Sequence, residues 1–197
     1  MRLHLLLALL LAAPFWETRT PDQWTDGELE QLLGSSPWVR TLDPPITEGK
    51  ITSVAVRLAT ARPIREAESE LARRRRQKFP EAPVDDSDDY ETFLEQRSAE
   101  CIILAVNTGV SSAFGDRAEI RRMQEESYLR VGKTRLKMEG HFPPTPADPW
   151  LRLVFPRPRE ITSKSVIFEL YIPSLPAPFR QVEFWVDELI FRGKPEL

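Results

Sequence analysis

The stretch that most limits what this chain can become lies near its end. Val166, Phe168, Leu170 and Ile172 recur at every second position, and so do Val182, Phe184 and Val186. A period of two puts each set on one face of a β-strand. Residues 173–179, between them, hold three prolines. Proline donates nothing to a ladder and suits a loop. The pattern predicts an antiparallel hairpin over residues 166–191 whose apolar face walls a core. A lone hairpin cannot bury such a face, so the rest of the chain has to cover it.

Further strands are written upstream. In residues 51–60, Val54, Val56 and Leu58 alternate with Ser53, Ala55 and Arg57, which predicts a half-buried strand. Cys101 to Val106 is apolar on both faces, the mark of a central strand covered on each side. Leu136 with Met138, then Leu151, Leu153 and Phe155, continue the alternation. Glu188 is expected to mark a bulge, because Leu189 and Phe191 restart the pattern out of phase.

Helical segments separate these runs. Thr25 and Glu28 form a capping box ahead of Leu29, Leu32 and Leu33, with Gly34 expected to end the helix. Pro37 in Ser36-Pro37-Trp38 suits the first position of a second helical turn. Pro63 opens a longer helix with Ile64, Ala67, Leu71 and Phe79 on one drifting face. Tyr90, Phe93, Leu94 and Arg97 fit a short amphipathic helix. Asp116 caps another, with Ile120, Met123, Ser127 and Val131 as its inner line and Gly132 at its end. Strands gathered toward the end favour α+β over a doubly wound sheet. The expectation is one mixed or antiparallel sheet of about five to six strands with three to four helices, closing in an antiparallel meander.

At 197 residues and 41% hydrophobic content the chain suits a single domain. Residues 51–197 are assigned to it. Residues 14–50 are a Trp-rich helical segment packing on it, with Trp16, Trp24 and Trp38 as anchors rather than a binding platform. Residues 1–13 have the form of a secretory signal: Arg2, an apolar run from Leu3 to Leu11, then Ala12 and Ala13. Pro14 leaves the cleavage point open, and an amphipathic or buried N-terminal helix is the competing reading. The run is too short for a stable transmembrane anchor. An exported location follows: periplasmic, outer-envelope associated or secreted.

Chemistry is harder to find. Cys101 is the one cysteine, which excludes an internal disulfide and a Cys-based zinc site. His141, beside the proline-rich stretch at 143–149, is the one histidine outside the leader, so any Ser-His-Asp or Cys-His system would have to use it. No serine elbow, Walker or dinucleotide motif occurs, and no cofactor is implied. Asp85, Asp86, Asp88 and Asp89 are a weak calcium candidate that lacks the glycine and distant glutamate of an EF-hand loop. Arg73 to Arg76 suits phosphate or nucleic acid, or simply a solvated helix end, and the acids from Asp85 to Asp89 across the loop offer to neutralise it. The net charge of −3 argues against general nucleic-acid or anionic-membrane binding.

Phe15-Trp16-Glu17, Trp24 with Glu28, Ser36-Pro37-Trp38, Ala61-Arg62-Pro63, Phe155-Pro156-Arg157 and the ending from Asp187 to Leu197 together resemble a family of small, uncharacterised exported bacterial proteins. The resemblance implies export and a single domain, and no activity. The expected function is a non-enzymatic domain binding an envelope protein, peptide or glycan, with Trp185, His141 and the 143–149 loop as contact candidates. The alternative is a small carboxylate-dependent hydrolase acting on envelope or extracellular glycans.

Overall fold

The computed structural model describes residues 13–42, 53–80, 88–109, 112–173, 175 and 177–197. The chain is α+β, with its strands in antiparallel sheets. The strands divide between two main sheets. The first runs β1 (Val39–Leu42), β2 (Val54–Leu58), β3 (Cys101–Asn107), β7 (Trp150–Pro156) and β6 (Gly140–Phe142), in that spatial order. The second is ordered β5 (Thr134–Lys137), β4 (Tyr128–Val131), β8 (Ser165–Tyr171), β9 (Phe179–Trp185). The chain changes sheet between Met138 and Glu139. The Met138 N–H donates to the Ser127 carbonyl on the second sheet's side, and the next N–H donates to Val154 on the first.

The hairpin expected at the end of the chain is β8–β9, with Val166 opposite Phe184 and Phe168 opposite Val182. Its apolar face packs on the first sheet, where Phe168 meets Phe155 edge to face at 5.3 Å. Ile102, Leu104 and Val106 of β3 point into the same core. Cys101, Ile103 and Ala105 point the other way, under α4 (Asp88–Arg97), which brings Tyr90, Phe93 and Leu94. Strand β3 is therefore buried on both faces, and the Cys101 thiol, raised in pKa by that burial, donates to the Arg97 carbonyl.

The first part of the chain joins this core. α1 (Phe15–Thr18) and α2 (Asp26–Ser35) lead into β1, which pairs with β2. Thr25 caps α2 with the reciprocal Glu28 bond. Trp24 and Trp38 are fully buried, and the Trp38 indole N–H donates to the Glu196 carbonyl at 2.9 Å. α3 (Arg62–Lys78) packs beside α2 through Ile64, Ala67 and Glu70.

Five local expectations change. Gly34 lies inside α2, which ends at Ser35, and Ser36-Pro37-Trp38 is a turn into β1 rather than a helix start. α5 (Arg117–Glu126), capped by Asp116, stops before Ser127. The Ser127 hydroxyl is buried and accepts from the Tyr171 N–H, which holds that residue extended. Val131 is then on β4, and Gly132, at φ +58°, makes the two-residue turn to β5 that a left-handed glycine allows. Around Glu188 there is a turn, with Glu188 N–H on the Trp185 carbonyl and Leu189 N–H on Val186, leading to the ribbon β10 (Ile190–Phe191) and β11 (Lys194–Pro195). Leu71 on α3 and Phe79 at its C-cap stay exposed, because the helix runs on past the surface it packs against.

Candidate functional site

Among the described residues, α5 meets the outer face of the second sheet at the Tyr171 end of β8 through Glu119 and Arg122, and the outward side chains beyond it are half-buried to exposed. Alternation decides what stands there: Tyr128 and Arg130 from β4, Ile167 and Glu169 from β8, and Phe179, Gln181, Glu183 and Trp185 from β9. Their inward neighbours, Leu129, Phe168, Val182 and Phe184, fill the core. The strands align these residues in rows, with Tyr128 beside Glu169 beside Gln181, and Arg130 beside Ile167 beside Glu183.

Two aromatic rings mark the ends of β9. Phe179 is 53% exposed and Trp185 44% exposed. Phe179 lies edge-on to Tyr171 at 5.2 Å, and the Arg122 guanidinium of α5 stands over both rings. At that end a shallow groove of about 580 Å³ is lined by Glu125, Tyr128, Arg135, Glu169, Phe179 and Gln181. Glu169 at its floor accepts from Arg130 at 2.9 Å and pairs with Arg135 at 2.8 Å. The groove thus offers aromatic faces, the Gln181 amide and paired charges. It suits a flat partner with mixed polarity, and the Glu169 carboxylate is already held by two guanidinium groups.

A second cluster lies on the outer side of the first sheet. Arg57, Ala105, Arg152 and Phe142 stand in one row across β2, β3, β7 and β6. The Arg57 guanidinium sits 3.7 Å from the Trp150 ring centre and donates to Glu68 of α3 at 3.0 Å. Arg152 stands over the Tyr90 ring of α4 at 4.1 Å and pairs with Asp148 at 2.5 Å. Burial pushes the Glu68 carboxyl up in pKa, against the pull of Arg57. Burial likewise raises the Tyr90 hydroxyl and lowers Arg57. Both the Tyr90 hydroxyl and Arg57 Nε are buried without a hydrogen-bond partner. These side chains fasten α3 and α4 to the sheet.

Trp185 stands on the open face of the second sheet, whereas His141 is in β6 opposite Leu153, on the other sheet. The histidine belongs to a strand rather than a solvated loop. It is half-buried, and that burial lowers its pKa. The two candidates do not converge. Asp85 and Asp86 lie outside the described residues, while Asp88 and Asp89 open α4. No group of three or more His, Cys, Asp or Glu that could hold a metal occurs among the described residues.

Arg73 and Arg74 close on the buried Glu70 carboxylate, at 2.6 and 2.7 Å, while Arg75 and Arg76 are exposed and make no ion pair with a described residue. Sequence reasoning did not single out Arg57, Glu68 or Arg152. The signal for Arg57 was present in its polar position on an alternating strand, but nothing in sequence pairs β2 with α3 and β7.

Compared with protein-family models, with curated proteins and with solved structures, the chain matches none. No helix among the described residues is long and apolar enough to cross a membrane.

Proposed function

We propose that this chain is an exported, non-enzymatic binding domain that engages an envelope protein, peptide or glycan through the outer face of its second sheet. One observation carries the reading: β9 presents Phe179 and Trp185 to solvent on the same face of a hairpin whose other face is buried. Large exposed aromatics are the side chains that interfaces favour, because they bury much area with little conformational entropy to lose. The groove beside Phe179 adds polar groups that would fix the orientation of a partner. The apolar run at residues 3–11 supports export.

Photo-crosslinking tests this reading. A photoreactive side chain at Trp185 or Gln181 in the full chain, expressed in a bacterial envelope, should yield a discrete adduct. The same group at exposed Glu95 of α4 should not. Equal labelling at all three positions would overturn the assignment of this face.

A second reading, the carboxylate-dependent hydrolase, draws on Glu68, the one described carboxylate raised in pKa, with Asp148 nearby in the same charge network. It ranks below the first because each acid is already paired with an arginine. Glycan turnover abolished by Glu68→Gln would reverse that order.

A further inference from the structure

The apolar line of α3 does not end where the core does. Leu71 is 36% exposed and Phe79 54% exposed, and every residue from Arg75 to Pro80 is exposed. Residues 71–80 contain five cations and no acid. Glu70, just before them, takes up Arg73 and Arg74. Arg75, Arg76 and Lys78 have no ion pair among the described residues, and the Lys78 ammonium stands over the Phe79 ring at 5.5 Å. At about 100° per residue, Leu71, Arg75 and Lys78 share one side of the helix, and Phe79 follows as its C-cap. Arg76 lies about 100° round from Arg75 and, with Arg73 and Gln77, lines an open dent of about 390 Å³.

We infer that this last stretch of α3 docks on an anionic phospholipid surface. Cations ringing an exposed phenyl group and a leucine match such a surface at two levels. The guanidinium groups meet headgroup phosphates, and Phe79 with Leu71 enters the boundary with the acyl chains. A nucleic-acid backbone asks for the cations alone and leaves the two apolar side chains without a role, so lipid is the better fit. The overall charge of −3, with Glu81 and Asp85 to Asp89 following directly in sequence, opposes this in part, so the attraction has to come from cations held within a Debye length of the surface. The inference is independent of the partner-binding face on the second sheet.

Cosedimentation of the full chain with vesicles tests it, comparing phosphatidylglycerol mixed with phosphatidylcholine against phosphatidylcholine alone. Each cation near such a surface multiplies binding about fivefold. Arg75→Glu combined with Arg76→Glu should therefore weaken binding to the anionic vesicles more than ~25-fold. Phe79→Ser should weaken it at least ~threefold through lost apolar burial. All three positions are exposed, so the variants should keep the wild-type melting temperature. The apolar leader is common to all of them and does not distinguish lipid charge. Equal binding to neutral vesicles, or a double reversal with no effect, overturns the inference. So does a Phe79→Ser protein that binds as well as wild type while duplex DNA competes the vesicles away, which would assign the patch to nucleic acid.

Discussion

Arg57 is held on two sides: its guanidinium lies 3.7 Å from the centre of the Trp150 ring and donates to Glu68 at 3.0 Å. The arginine is on β2, the tryptophan on β7 and the glutamate on α3, with only β3 between the two strands. One side chain therefore ties a helix to the sheet it crosses.

Arg57→Met should expose the cost of that arrangement. Methionine keeps apolar contact with Trp150 but leaves the Glu68 carboxylate without its cation. Removing one partner of a buried pair costs about 3–5 kcal/mol. The Glu68 side chain is 36% exposed, so a loss of about 2–3 kcal/mol is expected after solvent screening. The pH dependence has a definite sign. Burial raises the Glu68 pKa, and the variant removes the main opposing charge, so the folded-state pKa rises further. The penalty is full above that pKa and is relieved as pH falls through it, because the protonated acid is neutral. Urea titrations should show a larger deficit near pH 8 than near pH 5; a deficit that widens on acidification would reject this account.

Tyr90→Phe should act in the opposite direction. The hydroxyl is buried with no hydrogen-bond partner, while the ring is 7% exposed and supports Arg152 at 4.1 Å. Phenylalanine keeps the ring and removes an unsatisfied polar atom. Such a change is nearly neutral or stabilising by up to about 1 kcal/mol. A melting temperature several degrees below wild type would show that the hydroxyl has a partner after all.

The strands were legible in sequence where alternation was strict and local. Val166 to Ile172 and Val182 to Phe184 landed on the buried face of one hairpin, and Cys101 to Val106 was covered on both sides as its two-faced apolar run implied. Legibility failed where a distant contact decided the outcome. Ser127 and Val131 fit a helical spacing as well as they fit a strand. The Tyr171 N–H, 44 residues away, selects the extended form by bonding the Ser127 hydroxyl. The division into two sheets was hidden for the same reason, because one peptide step after Met138 carries the chain across. Trp185 stood out as an aromatic on the outer alternation of its strand. The groove beside Phe179 did not, since it is assembled from β4, β5, β8, β9 and α5.

His141→Gln should make the fold more tolerant of mild acid. Burial lowers the histidine pKa in the folded state, so the unfolded chain takes up the proton first as pH falls below about 6.5. Between that value and the folded-state pKa, stability declines on acidification. Glutamine has no proton to take up, and β6 is a short edge strand that accommodates a polar side chain. The difference in stability between variant and wild type should shift in the variant's favour from about pH 7.5 to pH 5.5. A pH-independent difference would mean that His141 is as freely solvated when folded as when unfolded.

Glu70→Gln tests the junction between α2 and α3. The carboxylate accepts from Arg73 and Arg74, and Arg74 also donates to the Trp24 carbonyl and to Asp26. Hydrogen bonding from Arg73, ahead of burial and of the bond from Arg74, sets the balance and holds the Glu70 carboxyl down to about 2. A depressed carboxyl stabilises the fold above the unfolded value, and that contribution fades as pH falls toward the folded one. Glutamine keeps one acceptor oxygen but no charge, so about 1–2 kcal/mol should be lost near pH 7 after allowance for the solvent that reaches the two arginines. The gap should close progressively between about pH 4.5 and pH 2, where wild-type Glu70 is itself neutral. Because Arg74 is then free to leave Trp24, hydrogen exchange should quicken at residues 24–28 in the variant near neutral pH. Unchanged exchange there, with stability lost elsewhere, would place the role of Glu70 within α3 rather than between the two helices.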